Sequence, residues 1–167
     1  MGTTATATTA RSVTTDRGRR LEADVVVLAT GAALTETSPA LLIRASAPPG
    51  LVRTIVAAPD FEVREGRPDE LLFAAEAGRD PEAVVAHFRA AWAGAEQVRV
   101  LSWAVGSRPM PPQGPIIGYA ADGTYTAVMH SAVCLAPTAA RLAAQEIITG
   151  RRPPELRGCD SRRSSTN

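Results

Sequence analysis

Val25-Val26-Val27-Leu28-Ala29 is an unbroken apolar run rich in β-branched residues, entered through Ala23-Asp24 and closed by Thr30-Gly31. A strand that is apolar on both faces has to sit inside a sheet covered on each side, because a wet face selects polar residues at every second position. The run therefore predicts a strand in the middle of a sheet, and with it a layered α/β fold. At five residues it falls far short of the ~20 needed to cross a bilayer. The opening segment, with seven threonines in its first fifteen residues, lacks the charged start and apolar centre of a secretory signal. A cytoplasmic chain is the resulting expectation.

Composition narrows the partners. All 18 basic residues are Arg, and against 17 acids they leave a net charge of +1, too weak a field to argue for nucleic acid or a membrane surface. The two cysteines, Cys134 and Cys159, form neither a CxxC pair nor a metal-spaced set with histidine, so no metal site is expected and both read as reduced thiols. Cys134 at a helix start reads as a small buried residue ahead of a reactive thiol. The 167 residues amount to one domain on a prior of roughly 100–200 residues per domain, so a second independent core is not expected.

The remaining pattern is mixed. Residues 1–10 read as frayed, and Asp16-Arg17-Gly18-Arg19 is a turn joining residues 11–15 to 20–21 as a hairpin. A loop is expected through Ser38-Pro39. Residues 52–56, 61–64 and 71–75 alternate at period two with turn residues between them, the signature of an antiparallel meander. Asp80-Pro81-Glu82 opens a helix with a cap, a proline in its first turn and an acid there, and Val84, Val85, Phe88 and Trp92 are its buried stripe. His87 on this helix reads as structural. A strand from Val98 to Trp103, a Pro/Gly-rich loop over residues 106–115, a strand over 125–129 and a helix over 135–149 complete the pattern. Gly150 and Pro153-Pro154 end that helix, and the Arg-rich tail, residues 151–167, is expected in solvent.

Three stretches bear on chemistry. The exit of the apolar run at Thr30-Gly31 allows a backbone to approach a ligand closely, or is a tight turn and nothing more. In Gly106-Ser107-Arg108-Pro109 a guanidinium is held by stiff backbone, either to meet a planar anion or as a surface arginine. In Met129-His130-Ser131-Ala132-Val133-Cys134-Leu135-Ala136-Pro137 a strand passes through small and polar residues into a helix N-terminus, whose free N–H groups suit an anionic oxygen.

In this order, over residues 19–150, the pieces resemble the carboxyl-terminal half of the D-amino-acid oxidase family of FAD-dependent oxidoreductases, which includes glycine and sarcosine oxidases. That family carries an ADxVVxAxGA strand, a substrate-domain meander, a GxRPxxxDGxPxIG loop and a GHSGxTLAP turn into its last helix. The resemblance implies FAD as cofactor and a small amino acid or secondary amine as substrate, oxidised by hydride transfer to the flavin. It implies that Thr30 and Gly31 lie beside the dinucleotide and that Arg108 clamps the substrate carboxylate. It also implies that Gly106 and the segment His130, Ser131, Ala132, Val133 and Cys134 contact the cofactor, the latter along the flavin ring.

The departures are specific. The GxGxxG fingerprint and the ribose-binding acid that follows it do not occur in the sequence. The proline loop is one residue short, with Gln113 at the usual Asp, while Ala132 replaces a Gly and Cys134 a Thr. A methyl at Ala132 crowds the ring if the backbone there needs a positive φ.

The expected architecture is thus a mixed α/β fold truncated relative to the family. It has a partial FAD-binding sheet (residues 21–45 and 104–150), an antiparallel substrate domain (46–103), two main helices, a disordered or hairpin start (1–20) and a flexible tail (151–167). The alternatives are a non-catalytic fragment or one subunit of a split flavoenzyme. Such a chain would form a homo-oligomer or pair with a complementing FAD-domain chain, and its uncovered layer would expose apolar surface around Val25, Val27 and the last helix.

Overall fold

The computed structural model describes residues 2–159. In chain order the strands are β1 (Ala5–Thr8), β2 (Ser12–Thr15), β3 (Arg20–Glu22), β4 (Val27–Leu28), β5 (Thr37–Ser46), β6 (Val56–Ala57), β7 (Phe61–Arg67), β8 (Glu70–Glu76), β9 (Arg99–Pro109), β10 (Ile116–Tyr119) and β11 (Tyr125–Val128). The helices are α1 (Pro81–Ala91) and α2 (Ala132–Thr149), with single 3-10 turns at Gly31–Leu34 and Pro154–Leu156. The mixed α/β class holds, with three sheets among the described residues.

The chain divides into two compact units, Met1–Thr37 with Pro109–Asn167, and Ser38–Arg108. Each has its own core, so the length-based expectation of a single core is corrected. Short strands and loops that leave a sheet and return can close two small cores where length alone suggests one.

In the Ser38–Arg108 unit the sheet order is β6-β7-β8-β5-β9; β7 and β8 pair antiparallel as the meander predicts, while β5, a ten-residue strand that the sequence pattern did not disclose, pairs antiparallel with β8. Alternation sends Leu41, Ile43, Phe61, Val63, Leu71 and Phe73 to one face, where Val84, Val85 and Phe88 of α1 cover them. Asp80 caps α1 by accepting from the Glu82 N–H at 3.2 Å. Phe88 packs edge-on against Phe73 and Phe61 at centroid separations of 5.2 and 6.0 Å, and stacks on Trp92 at 5.7 Å.

Several boundaries move here. Ser38 and Pro39 belong to β5, not to a loop; Pro39 is tolerated because the register with β8 begins one residue later, at Ala40↔Glu76. Of the predicted strand over residues 52–56 only Val56 pairs. Val52 is fully buried from a loop, so its alternation reflects packing and not a ladder. The predicted loop over 106–115 begins as strand, since β9 runs on through Gly106 and Arg108 to Pro109.

Arg44 on β5 forms an ion pair with Glu70 on β8, its Nε donating at 3.1 Å. The guanidinium holds the Glu70 carboxyl below its ordinary value of 4.5. In the unfolded chain Glu70 binds its proton at the higher pH, so the pair stabilises the fold above about pH 4.5 and ceases to do so as pH falls through the lowered value. Denaturation of wild type and Glu70→Gln should therefore differ at neutral pH, and the difference should shrink as the pH falls below 4.5; a difference that grows in acid contradicts the linkage.

In the other unit β1, β2 and β3 form an antiparallel sheet. The hairpin of residues 11–21 is present, but residues 1–10 are not simply frayed, because Ala5–Thr8 pairs with β2. The second sheet, β10-β11-β4, places β4 at an edge, where it pairs parallel with β11 as Tyr125↔Val27 and Thr126↔Leu28. This corrects the expectation of a central strand over residues 25–29. Only Val27 and Leu28 are in the ladder, Val26 is buried, and Val27 is 49% exposed. Among the described residues no strand pairs with the outer side of β4, and Val27 is exposed while Val26 is buried and Val25 packs partly against the core.

The tail is not all solvated. Pro153 and Leu156 are buried, and Arg152 reaches back to Glu146 of α2 at 3.0 Å, to the Ile117 carbonyl at 3.0 Å and to the Leu156 carbonyl at 2.7 Å. Glu146 also accepts from the Tyr125 hydroxyl at 2.9 Å. Burial, then the hydrogen bond to the Glu146 carboxylate, pushes the phenol above its ordinary range. Gly118 belongs to this network: its φ is +150°, and a Cβ there would lie 2.6 Å from Arg152 Nη1, so only glycine lets the guanidinium through. Residues 160–167 of the predicted flexible tail lie outside the described residues.

Candidate functional site

Two strands that run parallel leave the sheet at the same edge. β4 and β11 are such a pair, so Thr30-Gly31 after one and His130-Ser131 after the other emerge together at the carboxyl edge, where open α/β sheets carry ligands. The Gly31–Leu34 turn lies against β11. Gly31 has φ +61° with open space where a Cβ would be, so it is there for its backbone conformation rather than for clearance.

Past β11 the chain enters α2 at once. Ala132, Val133 and Cys134, predicted to lie in a loop with the helix starting near residue 135, are the first turn of α2. Because the helix begins at Ala132, Pro137 falls inside it, in the second turn, where it removes one helical donor. Ser131 makes no capping hydrogen bond with its side chain, and the Ala132 N–H donates to the His130 carbonyl at 2.9 Å, so the positive end of the helix dipole is carried by the N–H groups of Val133 and Cys134. Among the described residues no non-glycine residue has a positive φ, so the methyl of Ala132 sits on ordinary helical backbone. The crowding that a positive φ would bring does not arise.

His130, Ser131, Ala132, Val133 and Cys134 are all exposed, with Val133 at 92%. The expectation of a buried Cys134 is thus corrected: the thiol is exposed. Exposure continues along α2 at Leu135 and Ile148, in keeping with the apolar surface expected around Val27 and the last helix, whereas Val25, expected to share it, is partly buried against the second core.

Arg108 and Gly106 belong to the other unit. Arg108, near the end of β9, lines a polar groove of about 360 Å³ with Asp60, Glu62, Glu76 and Arg79. Asp60 is taken by Arg79 at 2.6 Å and by His87 Nδ1 at 3.0 Å, which also accounts for His87 as a structural residue. Among the described residues Arg108 makes no ion pair, with Asp122 or any other acid, and it is exposed, as the surface-arginine alternative expects. Asp122 instead accepts from the N–H and hydroxyl of Thr124 at 2.9 and 2.7 Å, bonds that lower its pKa. Gly106 has an ordinary φ, and a Cβ on it would make normal contact with Leu42 at 3.7 Å.

The structure thus brings Thr30, Gly31 and the His130 segment to one sheet edge and sets Arg108 without a partner in a groove of the second unit. The sequence reading missed that groove and its apolar neighbour, an open cleft of about 540 Å³ bearing Leu42, Leu72 and Trp103. The available signal was the exposed half of the β5 and β8 alternation, which is apolar at Leu42 and Leu72 where solvent favours polar residues. Among the described residues no cluster of three metal-ligating side chains occurs, and no helix is long and apolar enough to cross a membrane.

No family model matches the sequence, and no curated protein matches it significantly. Solved structures do match. Glycine oxidase from Geobacillus kaustophilus superposes with a TM-score of 0.71 at 17% identity, over 89% of this chain and 48% of that one. L-amino acid deaminase from Proteus vulgaris gives 0.74 at 18% identity, over 95% and 47%. L-proline dehydrogenase from P. horikoshii gives 0.69 at 16%, over 93% and 51%. The chain spans about half the length of these enzymes, and over that half it has the fold shared by glycine oxidase, L-amino acid deaminase and L-proline dehydrogenase.

Proposed function

We propose that this chain is the carboxyl-terminal part of a FAD-dependent oxidoreductase acting on an amino acid or secondary amine. The observation that carries the proposal is the parallel pairing of β4 with β11, which sets the exit at Thr30-Gly31 beside the uncapped start of α2. The fold likeness and the motif order support it. In this reading the Met1–Thr37 with Pro109–Asn167 unit belongs to the cofactor domain and the Ser38–Arg108 unit is the substrate domain.

The residues present fit a flavin dinucleotide in part. Gly31 offers backbone with open space around it. The first N–H groups of α2, among them those of Val133 and Cys134, offer donors to an anionic edge. The pyrophosphate grip of a GxGxxG turn is not in this sequence, so those contacts come from elsewhere. When bound, FAD supplies hydride acceptance. The protein's part is orientation: Arg108 holds the carboxylate in a bidentate grip and so fixes the α-carbon, while the dipole of α2 favours negative charge at the carboxyl edge. No side chain is required as a strong base.

The visible absorption spectrum of the full chain titrated with FAD tests the cofactor assignment. In whichever form carries flavin, Arg108→Ala should lower amino-acid turnover on the order of a hundredfold, the effect of losing a group that orients the reacting carbon, and leave flavin affinity unchanged. Equal turnover by the variant removes Arg108 from the proposal. The open edge of β4 and the exposed Val27, Val133 and Ile148 favour a second reading, in which the chain takes up flavin only with a complementing FAD-domain chain.

A further inference from the structure

We infer that the substrate is an amino carboxylate bearing a long apolar substituent, its carboxylate at Arg108 and its substituent laid along the open face of the five-stranded sheet. This deepens the proposed function and rests on it.

Only one face of that sheet is covered by α1. On the other, Leu42, Ile55 and Trp103 are 50%, 70% and 59% exposed, and with Leu72 and Ala74 they line the 540 Å³ cleft. Exposed apolar groups this concentrated mark a binding surface rather than ordinary scatter. The charges around the cleft do not favour an anion within it. Arg44 is committed to Glu70, and Arg64 donates to the Glu65 carbonyl at 3.2 Å.

The polar groove of Arg108 adjoins the cleft, since Glu62 and Ala74 line both. At the polar end the free guanidinium meets a carboxylate. At the shared wall Glu62, which among the described residues has no ion pair, offers a carboxylate to the ammonium. At the far end Trp103, Leu42 and Leu72 offer only apolar contact.

Arg108 and Trp103 are five residues apart on β9, about 16 Å along a strand. A glycine-sized ligand held at Arg108 leaves the cleft wet, and even a leucine-sized side chain enters only its near end. A long substituent covers Leu42, Leu72 and Trp103 and releases their water, so affinity should grow with each added methylene.

The test is a fluorescence titration of the full chain with two ladders of ligands, 2-amino acids from alanine to 2-aminodecanoate and N-alkylglycines over the same lengths. A Trp103→Phe control separates Trp103 from Trp92. In at least one ladder the dissociation constant should fall about fourfold per methylene, and the better ladder tells whether the substituent is carried on carbon or nitrogen. Leu42→Ser, at an exposed position, should flatten that dependence while the shortest ligands bind as before, and Arg108→Ala should weaken all lengths at least tenfold. Length-independent binding that still requires Arg108 overturns this inference and leaves the proposed function standing. Binding that ignores Arg108, or no binding by either ladder, overturns both. A concentration-dependent dimer that shields Trp103 from a soluble quencher assigns the face to a second copy of the chain and overturns the inference.

Discussion

Phe88→Ala should destabilise the Ser38–Arg108 unit by about 4 kcal/mol, the usual cost of deleting a buried aromatic ring. Phe88 is 1% exposed and is the ring on which α1 meets the sheet, touching Phe61, Phe73 and Trp92 at once. No neighbour can collapse into its place, because Phe61 and Phe73 are fixed in strand register as Phe61↔Ala75 and Val63↔Phe73. Trp92 reports the event, since its ring stacks on Phe88 and its Nε1 donates to the Leu51 carbonyl at 3.1 Å. Urea denaturation followed by its fluorescence should move to a clearly lower midpoint with an unchanged slope. A loss below about 1 kcal/mol would show that α1 does not depend on this contact.

The second large effect is expected in the other unit. Glu146→Ala removes the carboxylate that accepts from both Tyr125 and Arg152. It leaves a guanidinium only 22% exposed and a buried phenol without their acceptor. Breaking a buried pair from one side costs about 3 kcal/mol, which corresponds to a fall in Tm of roughly 6–12 °C. Tyr125→Phe, which leaves the ion pair intact, should cost only about 1 kcal/mol. Near-ultraviolet circular dichroism of Tyr119 and Tyr125, whose rings meet edge-on at 4.9 Å, follows this unit apart from the tryptophans. If both variants cost the same, Arg152 is not held by Glu146 in the way the geometry shows.

These two residues also mark how differently the sequence announces its cores. Phe88 belongs to a stripe at helical spacing behind an Asp-Pro-Glu helix start, and that local pattern suffices to name the helix and its buried face. Glu146 carries no such signal. A glutamate on a helix reads as solvated, and Arg152 as part of a basic tail, until the Pro153-Pro154 bend turns the chain back and the two meet in a place closed to water. The partner that makes a buried charge tolerable is settled by tertiary contact and not by sequence neighbours.

The candidate site divides along the same line. The strand-to-glycine exit at Gly31 was legible in the sequence, because a positive φ is a local backbone demand that few residue types can meet; the segments around Arg108 and Ala132, read as loops, are strand and helix with ordinary backbone. Which strand pairs with which was not legible. The run over residues 25–29 carries the composition of a central strand, yet its place at the edge beside β11 depends on what else is present to pair with it. Sequence by itself determined the α/β class, the meander, both helices and the motif order, since periodicity and capping act within a few residues of chain. Only the tertiary structure decided that β4 and β11 run parallel, so that Gly31 and His130 share an edge, that among the described residues Arg108 makes no ion pair although Glu62 and Glu76 line its groove, and that Leu42, Leu72 and Trp103 gather on an open sheet face. Each of these is a relation between residues far apart in the chain, fixed by strand register and burial.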